Sequence, residues 1–399
     1  MISHKVEPTK KKKTVPELPS MFSSLPDEII ENILARVSRW KYPLLSLVSK
    51  RFHSLLSSME IYKTRSQVGA DETCVYVWLK LPDHPCASWF SLEPNKKRTK
   101  LKSKIGFKRD PSVMSVVPIP RSSTNSFPDL YYTTTVGPEI YISGGPYPEP
   151  SSSVRIFDCR SHTWRDAPNM IVARENAETV LLDEKIYVMG GCDIDKYYAN
   201  WIEVFDVKTE SWTAFPGPGA DEDDLRNNLR NNNNECYIVN VFEGKLYVAA
   251  DEKEYSYDPK NGTWKLVREN SSFTTDSVYI WAKMGNVTYG CTDSGNLMWS
   301  GFENESIEWR EIKGLEKLRK HPTRGLETGI DFGLVGFGGQ LLVMWYPSLT
   351  KRRNTIWYAK ISVESRRNGR EVWGKVECVD ALTFPVESCE GFGCVAASV

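Results

Sequence analysis

The sequence predicts a small all-α module followed by an all-β propeller of six four-stranded blades, closed by pairing of its first strands with its last. Three observations predict it. Residues 25 to 59 carry apolar side chains at helical spacing; beyond Cys74 the pattern becomes short apolar alternations broken by Gly, Pro and Asn. A Trp then recurs six residues past an acidic residue, again and again along the chain. The composition agrees, since 13 Trp, 18 Tyr and 15 Phe beside 26 Gly and 23 Pro favour many short strands and turns.

Charge sets the first exclusions. With 51 Lys+Arg against 51 Asp+Glu over 399 residues the formal net charge is zero, which argues against a chain held to nucleic acid or membrane by bulk charge. Residues 1–20 contain the run Lys10 to Lys13 and no apolar h-region, so they read as a disordered basic tail rather than a secretory signal. Nine cysteines, an odd number without a C-x-x-C pair, point to reduced thiols in the cytoplasm and/or nucleus.

Next comes the helical module. Ile29, Ile30, Ile33, Leu34 and Val37 fall on one helical face, Pro43 suits the first turn of a second helix, and Leu44, Leu47, Val48, Phe52, Leu55, Leu56 and Met59 continue at steps near three and four. A helical hairpin or three-helix unit of this length buries too little apolar surface to be stable unaided. Its apolar faces need a partner, either the following domain or another protein. The string Leu25-Pro26-Asp27-Glu28, then Ile33-Leu34-Ala35-Arg36-Val37, Leu47-Val48-Ser49-Lys50-Arg51-Phe52 and Ser54-Leu55-Leu56 is similar to an F-box, and Ile61-Tyr62-Lys63-Thr64-Arg65-Ser66 resembles the plant F-box/kelch-repeat family. That resemblance assigns residues 21–66 to the F-box and 67–399 to a kelch-repeat propeller. It implies that the F-box binds the Skp-type adaptor of a cullin/RING ubiquitin ligase, with Leu25, Pro26, Ile29, Ile33, Leu34, Val48 and Phe52 as contacts by position. Phe52 stands where many F-boxes have Trp.

The repeat follows. Ile140-Tyr141-Ile142-Ser143-Gly144-Gly145 returns as Ile186 to Gly191 and, altered, as Leu246 to Asp251. Each is followed by a strand ending in an acid, and Asp158, Asp206 and Asp258 precede Trp164, Trp212 and Trp264 by six residues. Glu303 with Trp309 and Asp83 with Trp89 keep the interval, and Trp373 adds a sixth unit without the acid. Spacings of 48, 52, 45 and 64 residues from Trp164 onward bracket the period of about 50 expected for kelch blades. Asp is expected to organise the turn between third and fourth strands, Trp to pack between blades, and Gly-Gly to end the second strand without Cβ clashes. The Asp83/Trp89 unit reads as the last two strands of a blade, Val75 to Leu81 and Trp89 to Leu92. The strand-like run Gly393 to Val399 would complete that blade and remove two exposed edges.

In such a meander the loops between second and third strands share a face with the connections between blades. The third-to-fourth turns on the opposite face are short, whereas the first set is long and varied, so recognition is expected there. Candidates for binding a protein substrate are Arg174, Tyr197, Tyr198, Arg226, Arg230 and Arg324. The stretch from Asp221 to Asn234, acidic and then Asn-rich, reads as a disordered excursion, and the basic run from Lys96 to Arg109 as a solvated insertion between blades.

Kelch propellers also include enzymes, but only five His occur, none close to another, and no zinc, P-loop or nucleophile-elbow motif is present. The resemblance implies a non-catalytic substrate-recognition subunit of an SCF-type E3 ubiquitin ligase, with no cofactor, no metal, no nucleic acid and no membrane. Alternatives are an adaptor-bound scaffold that delivers no substrate, or a kelch-propeller enzyme.

Overall fold

The computed structural model describes residues 24–82, 84, 87–95, 107, 113–120, 133–145, 150–175, 177–193, 196–197, 200–215, 237–250, 253–269, 278–285, 287–303, 306–322, 324–347 and 354–399. The expected tail 1–20 lies outside them. The chain forms two compact units that divide between Asp71 and Glu72.

In the first unit, α1 (Asp27–Ala35) begins after Pro26, whose extended backbone cannot continue a helix backwards, and carries Asp27 and Glu28 in its first turn, where the helix dipole favours acids. A single 3₁₀ turn (Arg39–Lys41) leads to α2 (Tyr42–Leu45) with Pro43 in its first turn. In α3 (Lys50–Ser57) the Ser49 hydroxyl caps the start by accepting the Phe52 N–H at 3.1 Å. After α4 (Glu60–Gln67) the unit ends. Ile30, Leu34, Ala35, Tyr42, Leu56 and Ile61 form its small core. Two arginines hold it together. Arg65, almost completely buried, donates to the carbonyls of Ala35 (3.0 Å) and Val37 (2.7 Å) at the end of α1 and to the Tyr42 hydroxyl (3.1 Å). Arg51 donates to the Leu25 carbonyl at 2.6 Å and pairs with Asp27, fastening α3 to the start of α1.

The second unit is six four-stranded antiparallel sheets. Five take their strands consecutively: β4 to β7 (Thr133–Val136, Glu139–Ser143, Val154–Asp158, Thr163–Ala167), β8 to β11 (Glu178–Leu182, Lys185–Met189, Ile202–Asp206, Ser211–Phe215), β12 to β15 (Tyr237–Phe242, Lys245–Ala250, Lys253–Asp258, Thr263–Arg268), β16 to β19 (Val278–Met284, Val287–Thr292, Leu297–Glu303, Ser306–Glu311) and β20 to β23 (Gly329–Phe337, Gln340–Pro347, Thr355–Arg366, Glu371–Thr383). The sixth joins β24 (Gly391–Ser398) to β1 (Thr73–Lys80), β2 (Ser88–Asn95) and β3 (Val113–Pro118), with β24 and β1 paired from Thr73↔Ser398 to Lys80↔Gly391. The inner strands meet around the ring: β24 touches β20 and β4, β4 touches β8, β8 touches β12, and β16 touches β20. Side chains join β12's blade to the next one, where Asn240 donates to Thr288 Oγ1 (2.9 Å) and Lys283 to the Val241 carbonyl (3.1 Å).

The expected Asp turns are present. Asp158, Asp206 and Asp258 accept the backbone N–H groups of Arg160, Lys208 and Lys260 at 2.8 to 2.9 Å. Four residues past each acid the chain takes a positive φ, at His162, Glu210 and Gly262, which turns it into the strand that carries the Trp. Trp212 donates to the Pro168 carbonyl in the preceding interblade connection (2.8 Å), and Trp164 meets Trp89 of the neighbouring blade with centroids 5.4 Å apart.

Two expectations about the closing blade are corrected. β1 and β2 are its second and third strands, not its last two, because β24 supplies the first and β3 the fourth. Trp89 therefore lies on a third strand, opposite Trp78, and its spacing from Asp83 is not equivalent to that of the other Trp units. The basic run Lys96 to Arg109 falls in sequence between β2 and β3, the third and fourth strands of that blade, rather than between blades. Of it only Phe107 lies within the described residues.

Candidate functional site

Two surfaces carry the expected functional residues. In the helical unit the apolar residues divide into an inward and an outward set. Leu34 belongs to the inward set at 3% exposure, so this expected adaptor contact is corrected: it faces Ile30, Leu56 and Ile61 in the unit's own core. Its neighbour Ile33 points outward with Ile29, one turn earlier. Pro26 is exposed, while Leu25 and Phe52 are half-buried against the core. The largest outward group runs from α2 into the segment before α3, where Leu44, Leu47 and Val48 are 70%, 81% and 66% exposed. Leu44 and Leu47, and Met59 farther on, were not among the expected contacts, although their periodic spacing with Val48 placed them on the same stretch. Large apolar side chains left this open, next to one another, mark a docking surface rather than a folded core.

The second surface is the face of the propeller that bears the interblade connections. Here Arg174 is corrected. It is fully buried, and its guanidinium pairs with the equally buried Glu203 at 2.7 Å and donates to the carbonyls of Gly190, Asn200 and Trp201. Glu203 in turn accepts the N–H groups of Ile171 (2.6 Å) and Val172 (3.0 Å). The pair pins the connection between the first two consecutive blades onto the loop between β9 and β10, and leaves nothing of Arg174 for a partner. The same packing explains the Gly-Gly pairs. Gly191 has φ +67°, and a Cβ there would lie 2.4 Å from the Glu175 carbonyl oxygen. The glycine is required by close approach of the interblade connection, which lies across the end of β9, more than by the strand end itself.

Tyr197 is half-buried against the core between the second and third consecutive blades, with Lys196 over its ring at 4.9 Å. Tyr198, Arg226 and Arg230 lie outside the described residues. Arg324 is part-exposed in the connection leading into β20, and its guanidinium carbon lies over the Trp357 ring, 4.5 Å from the centroid. Among the described residues, exposed apolar side chains on this face are Ile171 and Ile330, the latter 65% exposed at the irregular start of β20.

Two acids stand at the entry of inner strands. Asp331 in β20 accepts the N–H groups of Phe392 and Phe332 (3.0 Å each), yet burial pushes its carboxyl up to about 6. Glu178 opens β8, and burial pushes it up to about 8 from 4.5. Between those two values the folded chain holds a proton that the unfolded chain releases, so the site subtracts stability as pH rises through the window and by a constant amount above it. Glu178→Gln is therefore expected to melt higher than the parent at pH 8.5, with the difference shrinking towards pH 5. Melting curves across that range check it, and a gap that does not change with pH would refute it. Among the described residues no group of three or more His, Cys, Asp or Glu is arranged to hold a metal ion.

Comparison with known proteins assigns both units. An F-box domain model matches residues 22–64, and the model described as FKB95, Kelch-repeats domain matches residues 89–383. The Arabidopsis thaliana F-box/kelch-repeat protein At5g39560 is 43% identical across all of this chain and 98% of its own length. Two others from the same plant, At4g19870 and At4g19865, are each 38% identical over 94% of this chain and 92% of theirs. Among solved structures, that of YjhT aligns with 66% of the chain and 96% of its own at 11% identity and a TM-score of 0.39. With an outward apolar surface on an F-box, followed in sequence by a six-bladed ring, the chain belongs to the F-box/kelch-repeat protein family.

Proposed function

We propose that the chain is the substrate-recognition subunit of an SCF-type E3 ubiquitin ligase, in which the F-box binds a Skp-type adaptor and the propeller holds the protein to be ubiquitinated. The observation that carries this reading is the outward set Ile29, Ile33, Leu44, Leu47, Val48 and Met59 on a unit whose inward core is only a few side chains. An adaptor would cover that surface and supply the missing apolar neighbours. The chain then does no bond chemistry itself; it raises the effective concentration of the target beside a ubiquitin-charged enzyme. Action in the cytoplasm and/or nucleus fits the odd number of cysteines without a C-x-x-C pair.

The test is co-purification of the full chain with a plant Skp-type adaptor. Leu47→Asp with Val48→Asp should weaken capture at least about thirtyfold, the weight of an interface hot spot of ~2 kcal/mol. Both residues are exposed, so melting should not change. Undiminished capture would refute the assignment of that surface. Adaptor capture without ubiquitin transfer to any bound protein would favour the scaffold.

A further inference from the structure

Resting on the receptor reading, we propose that Arg324 is the residue through which the propeller recognises its protein partner, and that it reads an anionic side chain, a carboxylate or a phosphate, on a segment of that partner. The connection from Ile312 to Thr328 carries five basic residues, Lys313, Lys317, Arg319, Lys320 and Arg324, against two acids, Glu316 and Glu327. Two of these charges are committed to ion pairs. Lys313 pairs with Glu371 at 2.5 Å, Arg319 with Glu327 at 3.3 Å and Glu311 at 3.7 Å, and Lys317 sits over Phe107 at 5.2 Å. Lys317, Lys320 and Arg324 have no carboxylate within ion-pair range among the described residues, and of these three Arg324 alone carries a planar fork, held over the face of Trp357.

That arrangement prepares an anion site. A guanidinium held over an indole face by cation–π attraction can still present its N–H groups to a carboxylate or phosphate, while the ring limits its mobility. Trp357 is itself fixed, 9% exposed in the third strand of its blade, opposite Trp345. The backbone is fixed as well, because the Gly325 N–H donates to the His321 carbonyl at 2.8 Å and a Cβ on Gly325 would lie 2.2 Å from the Arg319 carbonyl oxygen. Arg324 is thus held by packing on both sides of the turn, with its charge uncompensated. Six residues on, Ile330 stands 65% exposed, offering the apolar contact that usually accompanies a charged anchor. Of the six residues expected to bind substrate, Arg324 alone combines a described position, partial exposure and an unmatched charge.

The experiment uses the immobilised full chain and three synthetic peptide pools with the same randomised flanks and a fixed central Glu, phosphoserine or Lys. Retention of the Glu or the phosphoserine pool about tenfold above the Lys pool is expected, and whichever acid is retained more strongly identifies the group that is read. Arg324→Gln should abolish the preference. Arg324→Lys keeps the stem over Trp357 and a charge but loses the fork, so it should reduce the preference even if the Gln variant melts early. Equal retention of acidic and basic pools, or an acid preference undiminished in Arg324→Lys, would overturn the proposal. Adaptor capture is measured on the same samples. Its loss with the acid preference intact would sink the receptor reading alone, whereas intact capture without acid preference would sink this assignment alone.

Discussion

Glu203→Ala is expected to destabilise the propeller by about 3–5 kcal/mol, the cost of stranding a buried charge. The substitution leaves the Arg174 guanidinium, which is 0% exposed, without its counter-ion, and it orphans the N–H groups of Ile171 and Val172. Arg174→Ala should cost a similar amount, because it removes the donor to three carbonyls and leaves the Glu203 carboxylate unmatched. The paired change Arg174→Met with Glu203→Leu should recover part of the loss by removing both charges, but not all of it, since the two N–H groups stay unsatisfied. An exposed pair supplies the control: Arg165 and Glu210 meet at 2.7 Å with both side chains over 40% accessible, and Arg165→Ala should cost under ~1 kcal/mol. Urea unfolding of the five chains measures these differences. If Glu203→Ala costs no more than Arg165→Ala, the pair does not brace the blades.

That brace also marks where the sequence was readable and where it was not. The six-residue interval from Asp158 to Trp164, and from Asp206 to Trp212, is a local device: an acid accepts from a backbone two residues on, and one residue at positive φ completes the turn. Local chemistry of that kind leaves a spacing in the chain, which is why blade number and closure were legible. Arg174 is different. Its carboxylate partner lies 29 residues away and its loop resembles solvent-exposed recognition loops in length and composition. The readable sign was Glu203 itself, a charge between Ile202 and Val204 in a strand that is buried along four of its five residues.

The closing blade gave the opposite error. Asp83 to Trp89 repeats the interval at a different place in a blade, because β2 is a third strand and the basic run separates it from β3 in sequence. In the last consecutive blade, β22 and β23 are 12 and 13 residues long. Their turn, with positive φ at Arg367, Asn368 and Gly369, dispenses with the Asp signal and stretches the spacing to Trp373. In the helical unit, periodicity gathered Ile33 and Leu34 into one apolar stripe. Which of the two faces inward depends on Arg65 and Tyr42, which come after it in the chain and pack on the end of α1.

Removing residues 391–399 is expected to destroy the cooperative unfolding of the propeller, through aggregation or a melting temperature lower by roughly 10 °C or more. β24 is the inner strand of its blade, paired with β1 along its whole length and touching β20 and β4 on either side. Its loss would expose the edge of β1 and open the ring at two junctions. It would also take Phe392, 1% exposed, out of a core that contains Val75, Val77, Phe90 and Leu342, and free the Asp331 carboxylate from the Phe392 N–H. Phe392→Ala alone, which keeps the strand and removes the ring, should cost about 3–5 kcal/mol. Deleting residues 1–20 should leave melting unchanged. A peptide spanning 389–399, added to the truncated chain, should restore part of the lost stability by pairing with the open edge of β1. The readouts are calorimetry and light scattering on the same preparations. A truncated propeller that melts with the parent and stays monomeric would mean that the five consecutive blades carry the fold and that β24 only decorates it.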